Sequence, residues 1–222
     1  MKTRLLMLLS VFMAITSVGW MQAQSITYYK TGSGSGGTGT EQDPIVKISL
    51  DEILRDANAK TESDSIVVSL SNGDYTAASG TFLITKSGIS IIGTDSNKVV
   101  IKSPFDITLS EKGNISFSSL QIAATTATGR GLVDIKSSNT TVSFLDVKLN
   151  IEGAGTADGG STTCFGIVSQ LEVDNNTVNF VASHMYMSKG FQRGLCFRDG
   201  AGHTLNMENS KIDGPAGASG YS

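Results

Sequence analysis

Three columns of apolar residues recur along this chain. Ile115, Val142, Val178 and Leu205 mark position zero of four successive segments. Two residues on stand Phe117, Phe144, Phe180 and Met207, and seven residues on stand Ile122, Leu149, Met185 and Ile212. The zero positions are 27, 36 and 27 residues apart. The long interval holds GAGTADGGST (153–162), which reads as a loop inserted into a 27-residue repeat. A less regular copy, SGISIIG (87–93), precedes them, with Ser96 where an apolar +7 residue would stand. A further strand-like stretch opens at glycine in each repeat: GLVDI from Gly131, GIVS from Gly166 and GLCF from Gly194. Strands this short cannot bury a face alone. Stacking each coil on the next, about 4.8 Å away, pairs every strand with its equivalents and turns the columns into interior ladders. The pattern therefore predicts an all-β, right-handed parallel β-helix in which Phe117, Phe144 and Phe180 stack. A β-sandwich is the alternative, but its hairpin turns at 8–12-residue spacing are missing. Asn139 and Asn175, three residues before a zero position, and Asn114, one before, are expected at corners, because Asn tolerates the left-handed conformation.

The N-terminal part is organised differently. Lys2 and Arg4 precede an apolar run from Leu5 to Ile15, and Ala23 is a small residue at a plausible cleavage point, so residues 1–23 read as a secretory signal peptide. The run is shorter than the roughly 20 residues of a membrane span. Residues 24–47 hold ITYYK (26–30), a strand, and the glycine-serine tract GSGSGGTGT (32–40). Ser49 and Glu52 form a capping box ahead of Leu50, Ile53, Leu54 and Ala57, whose spacing predicts a short helix ending near Asn58. Residues 64–76 read as a strand closed by the Asn72-Gly73 turn. Residues 48–222 would form the β-helix, with the helix as its N-terminal cap. Nothing in GPAGASGYS (214–222) plays that part at the other end, so a longer natural protein is expected.

Composition narrows the function. The net charge is −3, and becomes −5 once the leader and its two cations are removed. Scattered Lys and Arg in an acidic chain leave no electrostatic footprint for nucleic acid. The only cysteines, Cys164 and Cys196, could pair outside the cytoplasm or remain as thiols, and spacing alone leaves both open. No zinc, Walker or nucleophile-elbow motif is present. Asn114, Asn139 and Asn175 each begin an Asn-x-Ser/Thr triplet but are more simply turn residues.

TYYKTGSGSGGTGTEQDPI (27–45), ISLDEILRDANA (48–59), IVVSLSNGDYT (66–76) and ITKSGISIIG (84–93) together resemble the opening of pectate-lyase-like right-handed β-helix proteins. The likeness covers residues 26–105 by motif and the remainder by coil pattern. Ala23-Gln24 also resembles the end of signal peptides in secreted proteins of Bacteroidota. The resemblance implies a secreted or cell-surface protein that binds or degrades a polysaccharide, often an acidic one, as a lyase sooner than a hydrolase. It leaves open a non-catalytic, adhesin-like role, since a fold does not imply an activity. A lyase must neutralise a uronate carboxylate with Ca²⁺ or Arg and supply a base. The paired Asp and Gly-His-Gly clusters of polygalacturonases are absent, and Gly202-His203-Thr204 is only a faint echo.

The candidate site follows from the columns. If +7 points inward, +6 and +8 point outward. Position +6 holds Gln121, Lys148, His184 and Lys211, and +8 holds Ala123, Asn150, Tyr186 and Asp213. Lys148, Asn150, His184, Tyr186, Lys211 and Asp213 would form an outer carbohydrate-binding stripe, with Tyr186 as a sugar-stacking face. The competing reading is an ordinary solvated strand face. No residue is assigned as catalytic and none as a metal ligand, although His184 could serve as a base near neutral pH if its surroundings permit. A second cluster, Lys189, Arg193, Arg198 and Asp199, is expected in a charged turn between coils.

Overall fold

The computed structural model describes residues 25–61, 64–125, 130–151, 164–187 and 192–214, and the stretches read above as a signal peptide (1–23) and an inserted loop (153–162), together with Lys189, lie outside them. Three parallel sheets make up nearly all of it. The first takes Ile26–Thr31, Ile45–Lys47, Ser65–Leu70, Ile89–Gly93, Gly113–Ser118, Thr140–Leu145, Thr177–Val181 and Thr204–Glu208. The second takes Gly73–Tyr75, Val99–Ile101, Gln121–Ala124, Lys148–Ile151, His184–Met187 and Lys211–Asp213. The third takes Phe82–Ile84, Phe105–Ile107, Gly131–Ile135, Cys164–Ser169 and Gln192–Phe197. From Ser65 onward the chain visits first, second and third sheet in fixed rotation, so each strand pairs with its counterpart one circuit away. This strand order fits a parallel β-solenoid.

The repeat columns set the register. Ile89, Ile115, Val142, Val178 and Leu205 are successive partners in the first sheet, and Ile122, Leu149, Met185 and Ile212 in the second. Phe117 lies 5.4 Å from Phe144, ring centre to ring centre, and Phe144 lies 5.8 Å from Phe180. The third sheet extends the aromatic core, with Phe105 4.9 Å from Phe117 and Phe82 5.2 Å from Phe105. Gly166 leaves no room for a side chain in this packing: a Cβ there would lie 2.7 Å from the Gly194 carbonyl oxygen and 2.5 Å from Met185 Sδ.

Corners explain what the periodicity did not. Positions zero and +7 lie on separate strands, because the chain turns between them at +4. Ser119, Asp146, Ala182 and Asn209 occupy that turn with φ of 52, 54, 47 and 49°. Asn139 and Asn175 take the left-handed conformation expected of them, with φ of 57 and 56°. Asn114 does not: it is an exposed residue inside the strand Gly113–Ser118. Asn72-Gly73 likewise marks a passage from one sheet to the next, with Gly73–Tyr75 already in the second sheet.

At corners the strand ladder cannot satisfy every backbone N–H, and a buried orphan is costly. Side chains from the next circuit take over. Ser103 Oγ accepts from Ala77 N at 3.0 Å, Ser137 Oγ from Leu109 N at 3.0 Å, and Asn176 Oδ1 from Thr140 N at 2.9 Å. Another corner uses Ser183 for Val147 N and Ser210 for Ser183 N, both at 3.0 Å.

The helix α1 (Leu50–Asn58) begins at the N-cap Ser49, whose Oγ accepts from Glu52 N. Leu50, Ile53, Leu54 and Ala57 are buried in the same core as the strands. Its last residue fixes it to the third sheet: Asn58 donates to Leu83 O and accepts from Thr85 N. Cys164 and Cys196 stand on neighbouring strands of the third sheet, but Cys164 pairs with Gln192 and Cys196 with Val168. That offset of four residues separates them by about 13 Å along the strands, beyond the reach of a disulfide.

Candidate functional site

The second sheet carries the stripe expected from the sequence. Lys148, His184 and Lys211 are successive partners, as are Asn150, Tyr186 and Asp213. Between the two columns run the buried side chains of Leu149 and Met185, so alternation turns all six residues to the outer face. They form a grid two columns wide and three circuits long, spaced about 4.8 Å across strands and about 7 Å along them.

The grid is already knitted together. His184 Nε2 lies 2.9 Å from Asp213 Oδ2, and Lys211 Nζ lies 2.8 Å from the same oxygen. Lys211 donates to Asp213 and holds its carboxyl below the usual range, with His184 adding to the effect. Asp213 is therefore an acceptor near neutral pH and His184 donates to it from Nε2, which in the neutral imidazole leaves the lone pair on Nδ1. Tyr186 stands half-exposed beside them. Lys148 reaches across a circuit and donates to Asn97 Oδ1. Asp95 shapes the Asn97 turn, its Oδ1 accepting from Asn97 N at 2.8 Å, and that bond lowers the Asp95 carboxyl. One circuit earlier the face changes character, since Ala123 is buried.

A second polar cluster, on the outside of the third sheet, has no counterpart in the sequence reading. Asp106 and Asp134 are register partners. Arg130 bridges them, with a terminal guanidinium nitrogen 2.5 Å from Asp106 Oδ1 and Nε 2.5 Å from Asp134 Oδ2. Lys136 Nζ closes on Asp106 Oδ2 at 2.6 Å. Asp134 is only 1 % exposed. Its Oδ1 accepts from Gly131 N and Gln170 Nε2, at 2.9 and 3.0 Å. Its Oδ2 makes the ion-pair contact with Arg130 but no well-directed hydrogen bond. Burial pushes the Asp134 carboxyl up, against the pull of Gly131 N–H and Arg130. Arg130, Asp134 and Lys136 are close in sequence, but Asp106 stands 24 residues before Arg130, and only the coil register brings it to them. Of the charged turn expected between coils, Arg193 instead lies in the strand Gln192–Phe197, Arg198 donates to Gln170 Oε1, and Asp199 accepts from Gly200 N.

Among the described residues no three His, Cys, Asp or Glu side chains converge. In the grid the one carboxylate is held by Lys211 and His184. That is not the set of six to eight oxygens Ca²⁺ takes. No helix among the described residues is long and apolar enough to cross a membrane. No protein-family model, no curated protein and no solved structure matches the chain.

Proposed function

We propose that this is a right-handed parallel β-helix protein of the cell exterior, capped by α1, that acts on an acidic polysaccharide as a lyase. The observation that carries the reading is the His184–Asp213 hydrogen bond beside Tyr186 on an open sheet face. β-Elimination at a uronate removes the proton next to the carboxylate carbon, forms a C=C bond and expels the glycosidic oxygen. The His184 Nδ1 lone pair takes that proton, and Asp213 stabilises the imidazolium that results. Tyr186 protonates the departing oxygen, and solvent returns both groups to their starting state. Asn150 and Lys148 lie one circuit away, where the uronate carboxylate of an axial chain would sit. Successive sugars are about as long as the 4.8 Å coil spacing, so the chain meets roughly one circuit per unit.

A binding role without catalysis is the second reading, and it too has an observation behind it. The ammonium groups of Lys148 and Lys211 are already engaged by Asn97 and Asp213, which suits a rigid adhesive face. The two readings part in an ultraviolet assay for unsaturated uronate products over a panel of polyuronates, with and without Ca²⁺. The lyase reading expects product from the wild type and at least a hundredfold loss in His184→Ala. Binding without product would favour the adhesive role, and neither binding nor product from folded protein would end both.

A further inference from the structure

We propose that His203 is a proton-sensitive clasp holding the last described coil in place, and with it Lys211 and Asp213. His203 sits on the turn between Gln192–Phe197 and Thr204–Glu208. Its ring lies parallel to Phe197, centres 4.5 Å apart and planes 5° apart. Nδ1 is 3.2 Å from the backbone N of Asn176, and Nε2 is 3.0 Å from the carbonyl oxygen of Asp199. A backbone N–H can only donate and a carbonyl can only accept. The neutral tautomer with hydrogen on Nε2 is the one form that satisfies both.

This is the corner device of the fold with its acceptor changed. At the preceding circuit the acceptor for Thr140 N is the amide of Asn176, and elsewhere in the same turn the acceptor for Leu109 N is the Ser137 hydroxyl. None of those groups titrates near neutrality. At the last circuit the acceptor is an imidazole, and protonation at Nδ1 would set one donor against another. Asn176 is fully buried and its side chain is spent on Thr140 N and Ser169 Oγ, so it has little room to adjust. The charged groups packed against this turn are Asp174, Asp199 and Arg198. Asp174 Oδ1 accepts from Ala201 N, Asp199 Oδ1 from Gly200 N, and Arg198 donates to Gln170. Either carboxylate gives an imidazolium a counter-charge, but neither restores an acceptor for Asn176 N–H. Acidification therefore loosens Thr204–Asp213. If the lyase reading holds, it also removes the carboxylate that orients His184.

The test is hydrogen exchange of the amides in 204–213, corrected for intrinsic rate, in the full chain at about pH 7.5 and about pH 5.5. Wild type is expected to lose about tenfold in protection on acidification, the factor for one neutral hydrogen bond. His203→Asn, which supplies the non-titrating acceptor used one circuit earlier, should abolish that fall, whereas His184→Asn should keep it. Unchanged protection in wild type, or a full fall in His203→Asn, would overturn the proposal. These readouts do not depend on turnover, so failure of the lyase reading and failure of the clasp are separable.

Discussion

The coil from Gly113 to Ile135 and the last coil, Thr204 to Asp213, obey the same pattern with opposite results. Ile115 and Phe117 are 1 % and 0 % exposed, whereas their register counterparts three circuits on, Leu205 and Met207, are at 40 % and 44 %. The residues are of the same kind and sit at the same positions. What differs is the number of neighbours: the earlier coil has one on each side, and among the described residues the last has one only. In a stacked architecture a strand's own sequence decides which side chains face inward. The adjoining circuits decide whether that face is buried. The grid spans this gradient, since Lys148 stands on a coil flanked on both sides and Asp213 on the last one.

The largest expected effect tests that gradient directly. Phe144 is enclosed by Phe117 and Phe180, so Phe144→Ala should cost about 3–5 kcal/mol in urea unfolding. Met207→Ala, in the same column, should cost less than about 1 kcal/mol, because most of its surface is already in water. Equal losses would mean that the last coil is covered in solution. A second contrast lies at the corners. Asn176→Ala orphans Thr140 N and Ser169 Oγ in the interior and should cost about 1–3 kcal/mol. Ser210→Ala, at a part-buried corner, should cost about 1 kcal/mol or less. Similar values for the two would remove the distinction between inner and outer circuits.

These contrasts also show what could be read from sequence. The three columns fixed sheet identity and register, because a one-residue slip would have sent Phe117, Phe144 and Phe180 to solvent. The stripe was legible for the same reason, as it needed only the alternation around Ile122, Leu149 and Met185. The +4 corner was not, since Ser119, Asp146, Ala182 and Asn209 share no chemistry and are united only by φ. Nor was the Asp106–Arg130–Asp134–Lys136 cluster, because Arg130 joins carboxylates 24 residues before and four after it. His203 looked like a faint catalytic echo, and its role as an acceptor appears only once Asn176 lies beneath it.

The two aspartates extend the comparison to pH. Burial raises the Asp134 carboxyl above its unfolded value. Its contribution to stability is then fully present below the unfolded value and is lost as pH rises through the folded one. Lys211 lowers the exposed Asp213, whose contribution is present above the unfolded value and lost as pH falls through the folded one. In urea melts across the acid-to-neutral range, Asp134→Asn should gain on wild type as pH rises. Asp213→Asn should lose on wild type over the same span, by less, because the group is exposed. A flat difference for Asp134→Asn would mean that Arg130 cancels the cost of burying the charge.

The smallest effect concerns the left-handed corners, where the backbone repeats and only the side chain varies. Ala182 has φ of 47° and lacks a side-chain oxygen to bond its own backbone there. An L-residue with a Cβ pays roughly 1 kcal/mol for that conformation, and glycine avoids the clash at the expense of a freer unfolded chain. Ala182→Gly should therefore stabilise by about 0.5 kcal/mol, on a corner linked to Glu208 by the Ala182 N–H. At Asn209, with φ of 49°, the amide tolerates the same geometry. Asn209→Gly should accordingly change stability by no more than a few tenths of a kcal/mol. Paired urea titrations resolve the difference if the m-values match. If Asn209→Gly stabilises as much as Ala182→Gly, strain at this corner depends on backbone alone, and the choice of Asn over Ala carries no energetic meaning.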